Sequence, residues 1–241
     1  MSMKVLIYKK HPRLVFYSLG KIYKFFDSKI ECAAEIKSIL SSPMKNYYDL
    51  NTNYTMSMVD ITFIGDTYYI MEKADGKKLN ISDNDQYFQL AGRCLNIFHS
   101  LSFNKKKKET LLYGDFISDH LFIDTTDKRI TLIDPGSGFC KKGIIETDIA
   151  RFIVYLVSEN YFNLFLMKKK IIHFVKGYDI HKINYQTLKI SIDNRLKKNY
   201  KKNLIHNLFY INRLKGILIN SITWLMIIII KKELKKIFNE N

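Results

Sequence analysis

The chain has 241 residues, 47% of them hydrophobic, and its 39 Lys and Arg outweigh 23 Asp and Glu to give a formal net charge of +16. This apolar content excludes a disordered chain, and the length allows one large core or two small lobes sharing a cleft. Three cysteines, Cys32, Cys94 and Cys140, stand far apart with no CxxC pair, which argues against a disulfide framework or a zinc site and predicts a reducing compartment.

The apolar patch at residues 5–8 is too short for a secretory signal and runs into Lys9, Lys10 and His11, so a cytoplasmic protein is expected. Residues 4–26 are rich in β-formers, with Leu14 to Tyr17 and Ile22 to Phe26 as two runs separated by Gly20, and predict a hairpin. Helical spacing follows over residues 28–40, with Ile30, Ala33, Ala34, Ile36, Ile39 and Leu40 as its apolar positions, until Ser41-Ser42-Pro43 stops it. Strand-like runs at 55–64 and 67–71 meet at Gly65-Asp66, a hairpin turn signal. The first third therefore reads β, β, α, β, β.

Beyond Gly76 the pattern becomes helical. Ser82 is the predicted N-cap of a helix through Tyr87, Leu90, Ala91, Leu95, Ile97 and Phe98 that ends near His99. The lysines at 105–108 read as a solvated loop, and short strands at 121–124 and 129–133 flank a turn. From Thr147 onward nearly everything is helical, with Asp148 near the start of a long apolar helix. The sum is an α+β chain.

Positive charge concentrates after residue 165, at Lys168 to Lys170, Lys197-Lys198 and Lys201-Lys202. An anionic lipid or glycan neighbour is expected; nucleic acid is not, because no nucleic-acid module accompanies the charge. Residues 217–230 are almost continuously apolar but fall short of the roughly 18 to 20 residues that a spanning helix needs. They read as a buried helix. The alternative is an interfacial anchor, since Trp224 and the flanking Lys231, Lys232, Lys235 and Lys236 suit a membrane surface.

The chemistry concentrates in residues 113–151, where Tyr113-Gly114-Asp115 precedes an apolar run, Ile130-Thr131-Leu132-Ile133 leads into Asp134-Pro135-Gly136, and Asp148-Ile149-Ala150-Arg151 follows. Phosphoryl transfer needs a carboxylate beside the attacking hydroxyl, an acidic metal ligand and a cation on the nucleotide phosphates. Asp115, turned sharply by Gly114, is the candidate base; Asp134, at the end of a strand, is the candidate Mg²⁺ ligand; Lys24, central in the second strand, is the candidate cation.

These residues resemble the protein-kinase-like superfamily, and within it the aminoglycoside phosphotransferases and lipopolysaccharide-core sugar kinases. Tyr113-Gly114-Asp115 is similar to the family's His-Gly-Asp catalytic loop, and Asp134-Pro135-Gly136 to its metal motif. Met71-Glu72-Lys73-Ala74-Asp75-Gly76 looks like the hinge, whose backbone at Glu72 and Ala74 would bind adenine. The resemblance implies a two-lobed fold, with a small antiparallel N-lobe over residues 1–75 and a larger helical C-lobe over 76–241. It also implies ATP with Mg²⁺ or Mn²⁺ between the lobes, and Glu35 (with Glu31 second) as the helix carboxylate paired with Lys24.

Two positions depart from the family pattern. His120 replaces the asparagine that would be the second metal ligand, and Tyr113 replaces the usual histidine. Imidazole is a poorer ligand for Mg²⁺ than an amide oxygen, so His120 could bind Mn²⁺, contact a phosphate, or leave Asp119 to serve the metal. The glycine loop is reduced to Gly20, for which a plain hairpin turn is an adequate reading. His99 reads as a buried hydrogen-bonded histidine, Arg151 as a helix-face ion-pair partner, and Asp148 as a structural group bonding backbone amides near the catalytic loop.

The implied activity is ATP-dependent phosphorylation of a hydroxyl, with a sugar of lipopolysaccharide core or another cell-envelope glycan as acceptor. The basic C-terminal region would face that anionic acceptor or the inner face of its membrane. Competing expectations are a pseudokinase acting as a binding protein, a compact RIO-type protein-serine kinase, and a lipid or nucleic-acid binder driven by charge alone.

Overall fold

A computed structural model describes residues 14–107, 109–135, 141–160, 163–207 and 213–240, with side chains described outside 201–220. The expected β run before Leu14, and Gly136 and Cys140, lie outside the described residues.

Four antiparallel strands form the first sheet in the order β1 (Val15–Ser18), β2 (Lys21–Phe25), β6 (Tyr68–Glu72), β5 (Ile61–Ile64). The β1–β2 turn uses Leu19 at φ 50° and Gly20 at φ 79°, the paired positive dihedrals of a tight two-residue hairpin. Alternation along β2 separates two faces: Tyr23 and Phe25 join Phe16, Tyr68 and Phe63 in a row of stacked rings with centroids 4.8–5.7 Å apart, and Lys24 points the other way into buried surroundings. Helix α1 (Lys29–Leu40) is capped by the Ser28 hydroxyl, which accepts from the Ile30 amide at 3.2 Å. Its buried face is Cys32, Glu35, Ile36 and Ile39, which presents Glu35 to Lys24; of the predicted apolar positions, Ile30, Ala33, Ala34 and Leu40 are exposed.

The predicted strand at 55–64 is two strands. β4 (Tyr54–Met58) leaves the first sheet and runs parallel to β10 (Arg129–Leu132), while β5 begins only at Ile61. The second sheet has the order β3 (Tyr47–Asp49), β4, β10, β9 (Leu121–Asp124), β7 (Lys77–Lys78), and β8 (Thr110–Leu111) pairs with β11 (Lys142–Gly143). Local alternation cannot reveal such a split, since β4's partner lies more than 70 residues further along the chain. The strands β9 and β10 are thereby anchored to a segment from the first third.

Helix α2 (Asp85–Leu101) starts two residues later than expected: its N-cap is Asn84, whose side chain accepts from the Gln86 amide at 3.0 Å. It packs on α4 (Leu164–Tyr178) through glycines on both sides, where an added Cβ would fall 1.9 Å from the Phe174 carbonyl oxygen at Gly92 and 2.0 Å from that of Gln89 at Gly177. Helix α3 (Glu146–Glu159) sits on α5 (Tyr185–Asn207), which packs on α6 (Arg213–Glu240). Phe88, Phe116, Phe152 and Phe174 fill the space between the helices and the loop after Tyr113, with Phe152 and Phe174 stacked at 3.9 Å.

Candidate active site

Lys24 is 4% exposed, so its ammonium needs a partner. It finds two: Glu35 Oε1 at 2.7 Å, and the Asp134 carboxylate. The Tyr69 hydroxyl donates to the same Glu35 oxygen at 2.7 Å, and burial followed by the Glu35 charge pushes the Tyr69 phenol far above its ordinary pKa, keeping it a donor. Glu31, one turn earlier on α1, is exposed. Three elements distant in sequence thus bring one lysine and two carboxylates together.

Asp134 follows β10 with φ 55°, in the left-handed region, which costs a non-glycine residue about 1 kcal/mol. Only Asp134 Oδ1 meets Lys24; Oδ2 faces His120 Nε2 at 3.9 Å, and the side chain is 42% exposed. His120 Nδ1 lies 2.9 Å from the Asp115 carbonyl oxygen. A carbonyl only accepts, so Nδ1 donates to it, and Nε2 is the ring nitrogen left facing Asp134. Asp119, the other candidate ligand, turns away to Lys78 Nζ at 2.9 Å and the Tyr155 hydroxyl.

The candidate catalytic loop at 113–120 hangs from Asp148 at the start of α3. Its carboxylate accepts from the Tyr113 amide at 2.6 Å and the Gly114 amide at 3.0 Å, while His99 Nε2 meets it at 3.1 Å. His99 is itself buried and held by the Tyr178 hydroxyl at 2.8 Å. Gly114 has φ 82°, which allows the sharp turn into Asp115. Tyr113, fully buried, donates its hydroxyl to the Ile133 carbonyl at 2.6 Å and so ties the loop to the residue before Asp134. The departure from histidine at 113 therefore has a structural use.

Asp115 is about a quarter exposed and is held by Arg151, whose Nε donates to Oδ1 at 2.5 Å and whose Nη2 converges on the same oxygen. Among the described residues no donor engages Oδ2, the oxygen able to accept a hydroxyl proton. The ion pair read from the sequence for Arg151 is thus made with the candidate base itself. Sequence reasoning missed Arg195. It lies three residues beyond the buried Ile192 on α5, on the face turned to α3, and senses Arg151, Asp115 and Asp148; burial, then the Arg151 charge, holds its guanidinium below its ordinary pKa. No described carboxylate lies within ion-pair distance of Arg195. Periodicity along 188, 192 and 195 was the available signal.

The hinge candidates are placed differently. Glu72 ends β6 opposite Lys21, with which its side chain forms an ion pair, and Ala74 is buried just beyond it. The Gly20 turn sits at this same end of the sheet, four residues before Lys24 and about 13 Å from it along the strand. The structure therefore joins Lys24, Glu35, Asp134 and His120, sets Asp115 next to them through the His120 contact, and does not bring Gly20 to that cluster.

No family model matches the sequence, and no curated protein matches it. Solved structures do, over the whole chain. An aminoglycoside phosphotransferase from Alicyclobacillus acidocaldarius is similar over 100% of this chain and 94% of its own, at 11% identity and TM-score 0.62. The fold is that of the aminoglycoside phosphotransferases. An ethanolamine kinase of Plasmodium vivax shares this phosphotransferase fold over 93% of this chain and 81% of its own, at 12% identity and TM-score 0.58. An amicoumacin kinase in complex with AMP-PNP, Ca²⁺ and Ami matches over 96% and 88%, at 15% identity and TM-score 0.57. The phosphotransferase fold accounts for the α+β order and the mainly helical second part.

Proposed function

We propose that this protein is an ATP-dependent kinase that phosphorylates a hydroxyl of a small anionic acceptor, a sugar of lipopolysaccharide core or another cell-envelope glycan being the favoured class. The observation that carries the reading is the meeting of Lys24, Glu35 and Asp134 beside the Asp115 loop. The nucleotide would lie between the first 75 residues and the remainder, with Glu72 and Ala74 at its base. Support for an anionic acceptor comes from Arg195 near Asp115 and from the basic region after residue 165.

The residues present fit a divalent cation. Asp134 Oδ2 and His120 Nε2 face each other at 3.9 Å, and a cation bound through one or two side chains is completed by phosphate oxygens and water. When bound, such an ion neutralises charge on the transferring phosphoryl group. Lys24, kept in place by Glu35 and Tyr69, would hold the nucleotide phosphates. Asp115 would orient the acceptor hydroxyl and accept its proton at Oδ2 as oxygen bonds to the γ-phosphorus and the bond to the leaving nucleoside diphosphate breaks. Arg151, on Oδ1, fixes which carboxylate oxygen faces the acceptor.

His120 in place of an amide ligand favours a second reading, a nucleotide-binding protein without transfer. Incubation with γ-labelled ATP, Mg²⁺ or Mn²⁺, and anionic sugars, aminoglycosides or ethanolamine separates the two. Transfer to an anionic sugar that falls by about 10²- to 10⁴-fold in Asp115→Asn, with ATP affinity unchanged, is expected. ATP binding without transfer to any acceptor would favour the second reading, and transfer undiminished in Asp115→Asn would remove Asp115 from its role.

A further inference from the structure

Helix α6 carries the apolar C-terminal stretch, and its two faces differ. Met226, Ile227, Ile230 and Leu234 are buried against the body of the protein. At about 100° per residue, Trp224, Leu225, Ile228, Lys232 and Lys235 fall within an arc of about 100° on the other side. Trp224 is 60% exposed, Leu225 58% and Ile228 38%. Single exposed apolar residues are ordinary on a protein surface, but a contiguous cluster that includes tryptophan marks a contact surface.

Charge selects the partner. Lys232 and Lys235 are exposed, with no described carboxylate within ion-pair distance, whereas their neighbours Lys231 and Lys236 are paired with Asp193 at 2.6 Å and Glu233 at 3.4 Å. Lys197 and Lys198 on the adjoining α5 are exposed as well, and the whole chain carries +16. Nucleic acid would engage the lysines but has no use for Leu225 and Ile228. A lipid interface uses both: apolar side chains enter the boundary between headgroups and acyl chains while ammonium groups meet anionic headgroups. No described helix is long and apolar enough to cross a membrane, so α6 would lie along the surface.

We infer that the exposed stripe of α6 docks the protein on an anionic lipid bilayer, Trp224, Leu225 and Ile228 entering the interface and Lys232 and Lys235 facing the lipid phosphates. This docking is independent of phosphotransfer, and it would hold the site close to an acceptor carried on lipid.

Trp224 is the only tryptophan, so emission of the full-length protein reports on the stripe alone. Titration with vesicles of mixed phosphatidylglycerol and phosphatidylcholine is expected to shift emission to the blue, with quenching by brominated acyl chains; pure phosphatidylcholine should bind at least about tenfold more weakly. Leu225→Asn/Ile228→Asn and Lys232→Glu/Lys235→Glu, checked for folding by circular dichroism, should each weaken vesicle binding about tenfold, whereas Asp115→Asn should leave it unchanged. Absence of a shift with the anionic vesicles, or undiminished binding by either stripe variant, would overturn the proposal. Heparin binding with no quenching by brominated lipid would overturn it in favour of a polyanion site.

Discussion

His120 would decide, under the proposed function, which divalent cation the site accepts. A carbonyl on one ring nitrogen fixes the proton there and leaves the other nitrogen facing Asp134, an arrangement suited to ligation. Imidazole favours Mn²⁺ over Mg²⁺ relative to an amide oxygen. His120→Asn should therefore raise activity with Mg²⁺ relative to Mn²⁺; steady-state rates with each ion measure the ratio, and an unchanged ratio would take His120 out of the metal shell. Lys24, Glu35, Asp115 and Asp134 were readable because each stands within a local motif or at a helix position. Arg195 was not, because its importance depends on α5 packing beside α3, a contact that local sequence does not encode.

Among the elements, the α2–α4 pair packs beside the Asp115 loop, and Asp85 staples it. Its carboxylate, at the start of α2, takes Lys170 Nζ at 2.7 Å and Lys169 Nζ at 2.6 Å from α4, hydrogen bonds that hold it at about 2 against an ordinary value of 3.8. A carboxyl group depressed by folding stabilises the protein above its unfolded value and loses that contribution as pH falls through its folded value. Asp85→Asn should be less stable at neutral pH, and its stability should fall less steeply than the parent's between pH 3.8 and about 2. Denaturant titrations across that range test the slope; parallel curves would contradict it. The helices and the two hairpins were legible from periodicity and turn residues. The division of 55–64 between two sheets was not, since β4 is fixed by parallel pairing with the distant β10; nor was the exposure of Ile30 and Leu40 on α1, whose buried side carries Glu35 to Lys24.

For the whole molecule, Lys24 of the first sheet meets Asp134, just beyond a strand of the second, so under the proposed function two segments far apart in sequence would close on one nucleotide. Sheet sharing through β4 couples the segments mechanically, so a nucleotide that engages both should raise the stability of the entire chain and not of one part. The most direct measurement is thermal unfolding with ATP and Mg²⁺ or Mn²⁺, in the parent, Lys24→Ala and Asp134→Asn. At a hundredfold excess over the dissociation constant, the parent should gain about 2.7 kcal/mol, a rise of roughly 5 to 11 °C for a chain of this size. Both variants should lose most of that gain. No shift with any nucleotide, or a full shift in the absence of the Lys24 ammonium, would contradict the account.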